Sequence, residues 1–89
     1  MGWRIELSGD ARKQLQKLGR PEAKRIIQFL HHRVEPLDDP RQLGKALKGP
    51  FTELWGYRVG HYRLICELRD EVLVVLVLRV GHRSRVYRN

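Results

Sequence analysis

The sequence predicts a small α+β domain, with two helices packed on one face of an antiparallel sheet in the order β-α-α-β-β-β. Three observations support this class: an alternating stretch at the N-terminus, two helical patterns within residues 8–34, and strand-like stretches from residue 51 onward. Helices followed by a run of strands are typical of α+β domains. With 89 residues, the chain is predicted to form one domain, residues 1–89.

The N-terminal part predicts one strand and two helices. The stretch "WRIEL", residues 3–7, alternates apolar and charged side chains, which indicates a half-buried strand. Ser8 provides a capping hydroxyl for a first helix, which Gly19 is expected to end. Pro21 is a favoured first residue for a second helix. The apolar stripe of this second helix consists of Ala23, Ile26, Ile27, Leu30 and Val34, so it should pack on a flat surface.

Three strands are predicted after a Pro-, Asp- and Gly-rich connection. The first is "FTELWGYRV" at residues 51–59, in which Trp55 and Tyr57 are expected to be core residues, and the second is "YRLICELR" at residues 62–69. The third, at residues 72–80, is apolar on both faces, which is typical of a central strand. Between the last two strands, Asp70 and Glu71 are expected to form a tight turn.

This layout leaves the second face of the sheet without helices. Alternation along residues 62–69 puts Arg63 on that open face if the Tyr62 to Leu68 set faces the helices. A two-residue turn would pair residue 63 with residue 78. The tail that follows, which includes "GHRSRVY" at residues 81–87, should then fold back beside Arg63.

Charge and composition limit the classes of function that the chain is expected to have. Eighteen basic and ten acidic residues give a net charge of +8, which is typical of a domain that approaches polyanions such as nucleic acid. The single cysteine, Cys66, predicts a small core residue in a reducing cytoplasm. The longest apolar run, Val72–Leu78, is too short to span a bilayer, so we expect a soluble cytoplasmic protein with no membrane partner. His31 and His32 are adjacent on a helix and do not share a face, so neither a metal nor another cofactor is expected.

The chain resembles the RelE/ParE superfamily of toxin–antitoxin toxins. The motifs that carry the resemblance are "LKG" at 47–49, "LWGYRVGHYRLIC" at 54–66, "DEVLVVLVLRVGHR" at 70–83 and "VY" at 86–87. The RelE branch, which the resemblance favours, implies a ribosome-dependent, metal-independent mRNA endonuclease that inhibits translation. The ParE branch implies a DNA gyrase inhibitor instead, and a degenerate toxin that only binds a partner is a third reading.

The resemblance also implies site residues. The arginine of the "YR" motif, the arginine after "VG-basic" and the C-terminal tyrosine of RelE toxins match Arg63, Arg83 and Tyr87. Arginine suits the stabilisation of a developing phosphorane dianion. Tyr87 could protonate the leaving oxygen, act as a base or stack on a nucleobase. His82 is a candidate acid–base group, with phosphate binding as the alternative.

One departure affects the RNA-binding residues. The two lysines that RelE toxins carry before the "YR" motif correspond to Leu54 and Gly56 in this chain. The nearest replacements are Lys45 or Lys48, Arg58 and His82. The residues expected to bind RNA are Lys45, Lys48, Arg58 and Arg85. Further implied partners are a RelB-like antitoxin, bound in a heteromeric complex, and mRNA on the ribosome. The basic helix residues Arg12, Lys13, Lys17, Lys24, Arg25 and Arg33 are expected to contact 16S ribosomal RNA.

Overall fold

The computed structural model describes residues 2–86 and consists of two α-helices on one face of a five-stranded sheet. The elements are β1 (Arg4–Leu7), α1 (Gly9–Leu18), α2 (Arg20–Phe29), β2 (Lys45–Ala46), β3 (Trp55–Val59), β4 (Tyr62–Arg69) and β5 (Val74–His82). The strand order is β1-β5-β4-β3-β2, with β1 parallel to β5 and the other neighbours antiparallel. The predicted α+β class is confirmed. Within residues 2–86, no helix is both long and apolar enough to cross a membrane.

The first helix follows its predicted cap, and the second begins at Arg20, one residue before the predicted Pro21. The Ser8 hydroxyl accepts a hydrogen bond from the backbone N–H of Ala11 at 3.0 Å, which caps α1. Gly19, with a φ of 89°, ends α1 and precedes α2, which carries Pro21 in its first turn. Beyond its last residue, α2 continues into a π-helical turn, Leu30–Val34. The helical stripe therefore extends to Val34, as the sequence predicts.

The core lies between the helices and one face of the sheet. Leu64 and Cys66 of β4 are fully buried there, with Val75 and Val77 of β5 beside them. Tyr62 and Leu68 pack against the same cluster, so the predicted helix-facing set of β4 is confirmed. Burial raises the pKa of the Cys66 thiol, which keeps it protonated as an apolar core group.

The turn between β4 and β5 differs from the prediction. Arg69 pairs with Val74, so the turn contains four residues, 70–73, rather than the expected Asp70 and Glu71 alone. An irregularity between Ile65 and Cys66 shifts the register further. Arg63 consequently lies opposite Gly81, not opposite residue 78. The broader expectation is confirmed, because the end of β5 and the start of the tail still lie beside Arg63.

The connection between α2 and β3 is held by three aromatic side chains that donate hydrogen bonds to its carbonyl groups. The bonds run from Trp3 Nε1 to Asp38 (3.2 Å), from Tyr57 Oη to Pro40 (2.7 Å) and from Trp55 Nε1 to Leu43 (2.7 Å). The connection then forms β2, an edge strand of two residues that the sequence analysis did not identify. Tyr57 is buried, as predicted, and Trp55 is partly buried against the core.

The Tyr57 hydroxyl predicts a measurable stability effect. Tyr57→Phe should lower the free energy of unfolding by about 0.5–1.5 kcal/mol, because it removes the 2.7 Å bond to the Pro40 carbonyl and leaves the longer 3.5 Å bond from the Leu43 N–H. Tyr62→Phe, at a partly buried position of β4, is the matched control and should change stability by less. Urea unfolding monitored by circular dichroism measures both. Equal effects of the two substitutions would contradict the role given to the Pro40 bond.

Candidate functional site: the basic end of the open sheet face

Three cationic side chains meet at one end of the open face. Arg58 on β3 lies directly opposite Arg63 on β4, and Lys45 on β2 lies opposite Gly56 on β3. All three line a cavity of about 260 Å³, of which Gly56 is also part. Within residues 2–86, none of the three forms an ion pair with a carboxylate. This uncompensated positive charge favours a polyanionic ligand.

Two glycines allow β2 to approach β3 at this cavity. Gly44 has a φ of 77°, and a Cβ there would press on the Gly56 carbonyl oxygen and lie 2.8 Å from the Trp55 indole nitrogen. At Gly56, a Cβ would lie 2.8 Å from a methyl carbon of Leu47. Gly56 is one of the two positions at which the resemblance places a lysine. In this chain the lysine of that region is Lys45, supplied by the neighbouring strand.

The tail turns back at the end of β5. The backbone N–H of Arg83 donates to the carbonyl of His61 at 2.9 Å, which ties the tail to the turn between β3 and β4. The N–H groups of Arg85 and Val86 both donate to the carbonyl of His82, at 2.8 and 3.0 Å. The buried Val86 side chain covers Gly81, whose missing Cβ leaves room for it. The tail is therefore folded onto the sheet as far as Val86, and Tyr87 lies outside the described residues.

His82 lies on the opposite face of the sheet from Arg63. It pairs with Tyr62, which faces the helices, and both line a groove of about 550 Å³ against α1. Arg85 lines the same groove. The backbone N–H of Val80 donates to Gln14 Oε1 of α1 at 2.7 Å, which closes part of the free β5 edge. The structure thus separates His82 and Arg85 from the three open-face cations, although all lie at the same end of the sheet.

Lys48 lies beyond the end of β2. It lines a shallow depression of about 530 Å³ together with Lys45 and Phe51, on the outer side of the edge strand. Lys45 therefore lies between this depression and the Arg58–Arg63 pair. The roles predicted for these lysines and for the other candidate residues stay predictions.

At the opposite end of the sheet, arginines are paired with carboxylates. The pairs are Arg4 with Glu6 (3.5 Å), Arg69 with Glu67 (3.2 Å) and Arg41 with Asp70 (2.8 Å). Hydrogen bonds from the Arg41 guanidinium hold the pKa of Asp70 below its usual value, so this pair persists into mildly acidic solution. The open face is consequently polarised, with paired charges at one end and unpaired cations at the other.

His61 lies in the turn between β3 and β4, and its ring contacts that of a site candidate, His82. The rings of His61 and His82 stack with their centroids 6.2 Å apart and their planes 20° apart. Only the tertiary pairing of the β3–β4 turn with the tail brings them together, so no spacing in the sequence signals this contact. Within residues 2–86, no three His, Cys, Asp or Glu side chains are arranged to hold a metal ion.

Comparison with known proteins identifies the family. The family model described as "ParE toxin of type II toxin-antitoxin system, parDE" matches residues 5–87. The chain is 30% identical over 88 residues to toxin RelG of Mycobacterium tuberculosis, with 99% of each chain covered. It is 33% identical over 86 residues to the mRNA interferase toxin RelE of Escherichia coli, covering 96% of this chain and 87% of that one.

A solved structure agrees with the sequence relatives. The toxin–antitoxin complex RelBE2 of Mycobacterium tuberculosis contains a chain that matches with a TM-score of 0.83 and 28% identity, covering 93% of this chain and 100% of that one. The fold, the basic end of its sheet and these relatives define a toxin of a type II toxin–antitoxin system. The chain belongs to the RelE/ParE superfamily of such toxins.

The unpaired cations predict the salt dependence of polyanion binding. Lys45→Ala and Arg58→Ala should each weaken binding of a single-stranded oligonucleotide. Each should also reduce the slope of log affinity against log salt concentration by about 0.7, the value for one lost phosphate contact. Arg69→Ala is the control, because Arg69 lies on the same face of the sheet but is already paired with Glu67. Fluorescence anisotropy across a salt series measures the slopes, and an unchanged slope for both site variants would contradict the assignment.

Proposed function

We propose that this toxin is a ribosome-dependent, metal-independent endonuclease that cleaves mRNA and thereby inhibits translation. The observation that carries the proposal is the group of unpaired cations, Lys45, Arg58 and Arg63, on a face that no helix covers, next to the tail turn that bears Arg83. The similarity to a toxin named as an mRNA interferase supports the same reading.

The reaction fits the chemistry of these residues. Attack of a 2′-hydroxyl on the adjacent phosphate forms a 2′,3′-cyclic phosphate and releases a 5′-hydroxyl, and negative charge builds up on the phosphate oxygens in between. Arg63 and Arg83 stabilise that charge, since guanidinium stays protonated and binds two oxygens at once. Such preorganised donors typically contribute about 10²- to 10³-fold in rate per donor.

Lys45 and Arg58 hold the RNA backbone at the same end of the face. Lys45 replaces the strand lysine that is absent at Gly56, because it pairs with Gly56 from β2 and lines the same cavity. Arg58 lies opposite Arg63 and contributes a second guanidinium to the phosphate-binding surface. Lys48 and Arg85, at the flanks of this surface, contact more distant phosphates. Three roles remain for Tyr87: general acid, general base, or an aromatic surface on which a nucleobase stacks.

A RelB-like antitoxin is the partner that neutralises the toxin. Several structural neighbours are toxins bound to an antitoxin, including the mycobacterial RelBE2 complex and an archaeal RelE–RelB complex. A small domain with a net charge of +8 suits an acidic antitoxin segment that covers the basic end. On the ribosome, the basic residues of the helices would face 16S ribosomal RNA while the open face receives the message.

Inhibition of DNA gyrase is the second candidate, and the matching family model favours it, because that model describes ParE toxins. Mapping of mRNA 5′ ends after induced expression separates the two. Cuts confined to translated regions support the endonuclease, whereas intact messages together with DNA damage support gyrase inhibition.

The arginine assignment predicts loss of toxicity. Arg63→Ala and, separately, Arg83→Ala should abolish growth arrest and mRNA cleavage while the protein stays folded and binds its antitoxin, because each substitution removes a transition-state donor. Arg69→Ala is the matched control, since Arg69 shares a strand and a face with Arg63 but is paired with Glu67. Full toxicity of both site variants at equal expression would refute the assignment.

A further inference from the structure

His61 occupies a defined place at the rim of the basic end. It lies in the turn between β3 and β4, two residues before Arg63 on the same hairpin. Its carbonyl accepts the hydrogen bond from the Arg83 N–H at 2.9 Å, and its exposed ring stacks on the ring of His82. The backbone bond fixes the turn and the tail relative to one another, so the two imidazoles are held together by the fold.

The contacts of His82 restrict the chemistry of its ring. The backbone N–H of Ser84 lies 3.3 Å from His82 Nδ1, and the Ser84 hydroxyl lies 2.9 Å from the same nitrogen. A backbone N–H can only donate, so Nδ1 must present its lone pair and the proton of the neutral ring sits on Nε2. In this tautomer, Nε2 donates a hydrogen bond to a phosphate oxygen but has no lone pair with which to accept a proton.

His61 is not restricted in this way. Within residues 2–86, no hydrogen bond or ion pair engages its ring nitrogens, so either can present a lone pair to a ligand. Within residues 2–86, the charged residues next to this turn are arginines. They are Arg58 on β3, Arg63 on β4, Arg83 at the start of the tail, and Arg25 of α2, whose guanidinium lies over Gly60. A phosphate drawn to these groups would lie close to an imidazole with a free nitrogen.

We infer that His61 is the general base of the proposed cleavage and that His82 is a positioning residue, which packs against the His61 ring and binds phosphate through Nε2–H. This inference rests on the proposed endonuclease function. In the reaction, the 2′-hydroxyl proton passes to His61 as the 2′-oxygen–phosphorus bond forms. The bond from phosphorus to the 5′-oxygen breaks, the leaving oxygen takes a proton from water, and His61 later returns its proton to solvent.

The first test measures single-turnover cleavage of mRNA on programmed ribosomes across pH 5 to 8.5, a range that spans imidazole titration. His61→Gln should lower the rate about 10²- to 10⁴-fold and remove the acidic limb of the pH profile. Affinity for a message with a 2′-deoxy sugar at the cleavage position should stay within about twofold. His82→Gln keeps an N–H donor, so it should retain the acidic limb. His31→Gln is the control, since His31 pairs with Glu35 at the end of α2.

Chemical rescue separates proton transfer from packing. Added imidazole should restore cleavage to His61→Ala, in proportion to the neutral fraction of the imidazole, and should leave His82→Ala unchanged. A folded His61→Ala that imidazole does not rescue would overturn the inference, as would a wild-type rate and pH profile for His61→Gln. If the wild-type protein itself leaves the message intact, the proposed function fails, and the role of His61 fails with it.

Discussion

The antiparallel pairing of β4 with β5 determines where every other part of the molecule lies. Its helix-facing side chains, among them Leu64, Cys66 and Val77, form the centre of the core, so this pairing is fixed by burial as well as by backbone hydrogen bonds. The same alternation puts Arg63 on the face that the helices leave open. The register then sets Gly81 opposite Arg63, and the glycine lets Val86 pack closely there, since a Cβ would lie only 3.3 Å from the Val86 side chain. Core packing and site assembly are thus consequences of one strand pair.

The second constraint is the anchoring of the connection before β3. A segment of this length has few regular backbone bonds, and three aromatic donors supply hydrogen bonds to it instead. Burial raises the pKa of Tyr57, so its hydroxyl stays protonated and remains a donor at neutral pH. The anchoring brings Lys45 to the edge of the sheet, where it pairs with Gly56 of β3. A cation required at this point of the face therefore does not have to reside on β3.

Local rules predict the helices and the faces of the strands well, because capping and alternation act over a few residues. The Ser8 cap, the break at Gly19 and the helix-facing residues of β4 all follow from them. Local rules do not predict the register of β4 with β5, because the register depends on a four-residue turn and on an irregularity next to Ile65. Leu73 has a φ of 53° in that turn, which is the left-handed conformation that Gly or Asn usually adopts. Residues 70–73 contain neither Gly nor Asn, so the sequence does not predict this conformation. The two-residue strand β2 is likewise formed by tertiary contacts alone.

The same distinction between local pattern and register applies to the site residues. Family resemblance and alternation identify Arg63 as a candidate, and they do so without a structure. They do not show that β5 carries His82 to the helix side, because the face of a residue near a strand end depends on the irregularity upstream. Nor do they show the ring contact of His82 with His61, which joins two turns separated by a whole hairpin. Contacts of this kind follow from register, and register is what local pattern leaves undetermined.

The basic end of the open face also lowers the stability of the folded protein. Like charges directly opposite one another on neighbouring strands repel. Arg58 and Arg63 are placed in this way, and within residues 2–86 neither pairs with a carboxylate. The opposite end shows that the sheet can avoid such repulsion, because Arg69 and Arg4 each have an acidic neighbour on their own strand. Local rules are typically broken where function requires it. A bound polyanion would relieve this repulsion, so the two guanidiniums that destabilise the free protein also favour the binding of a polyanion.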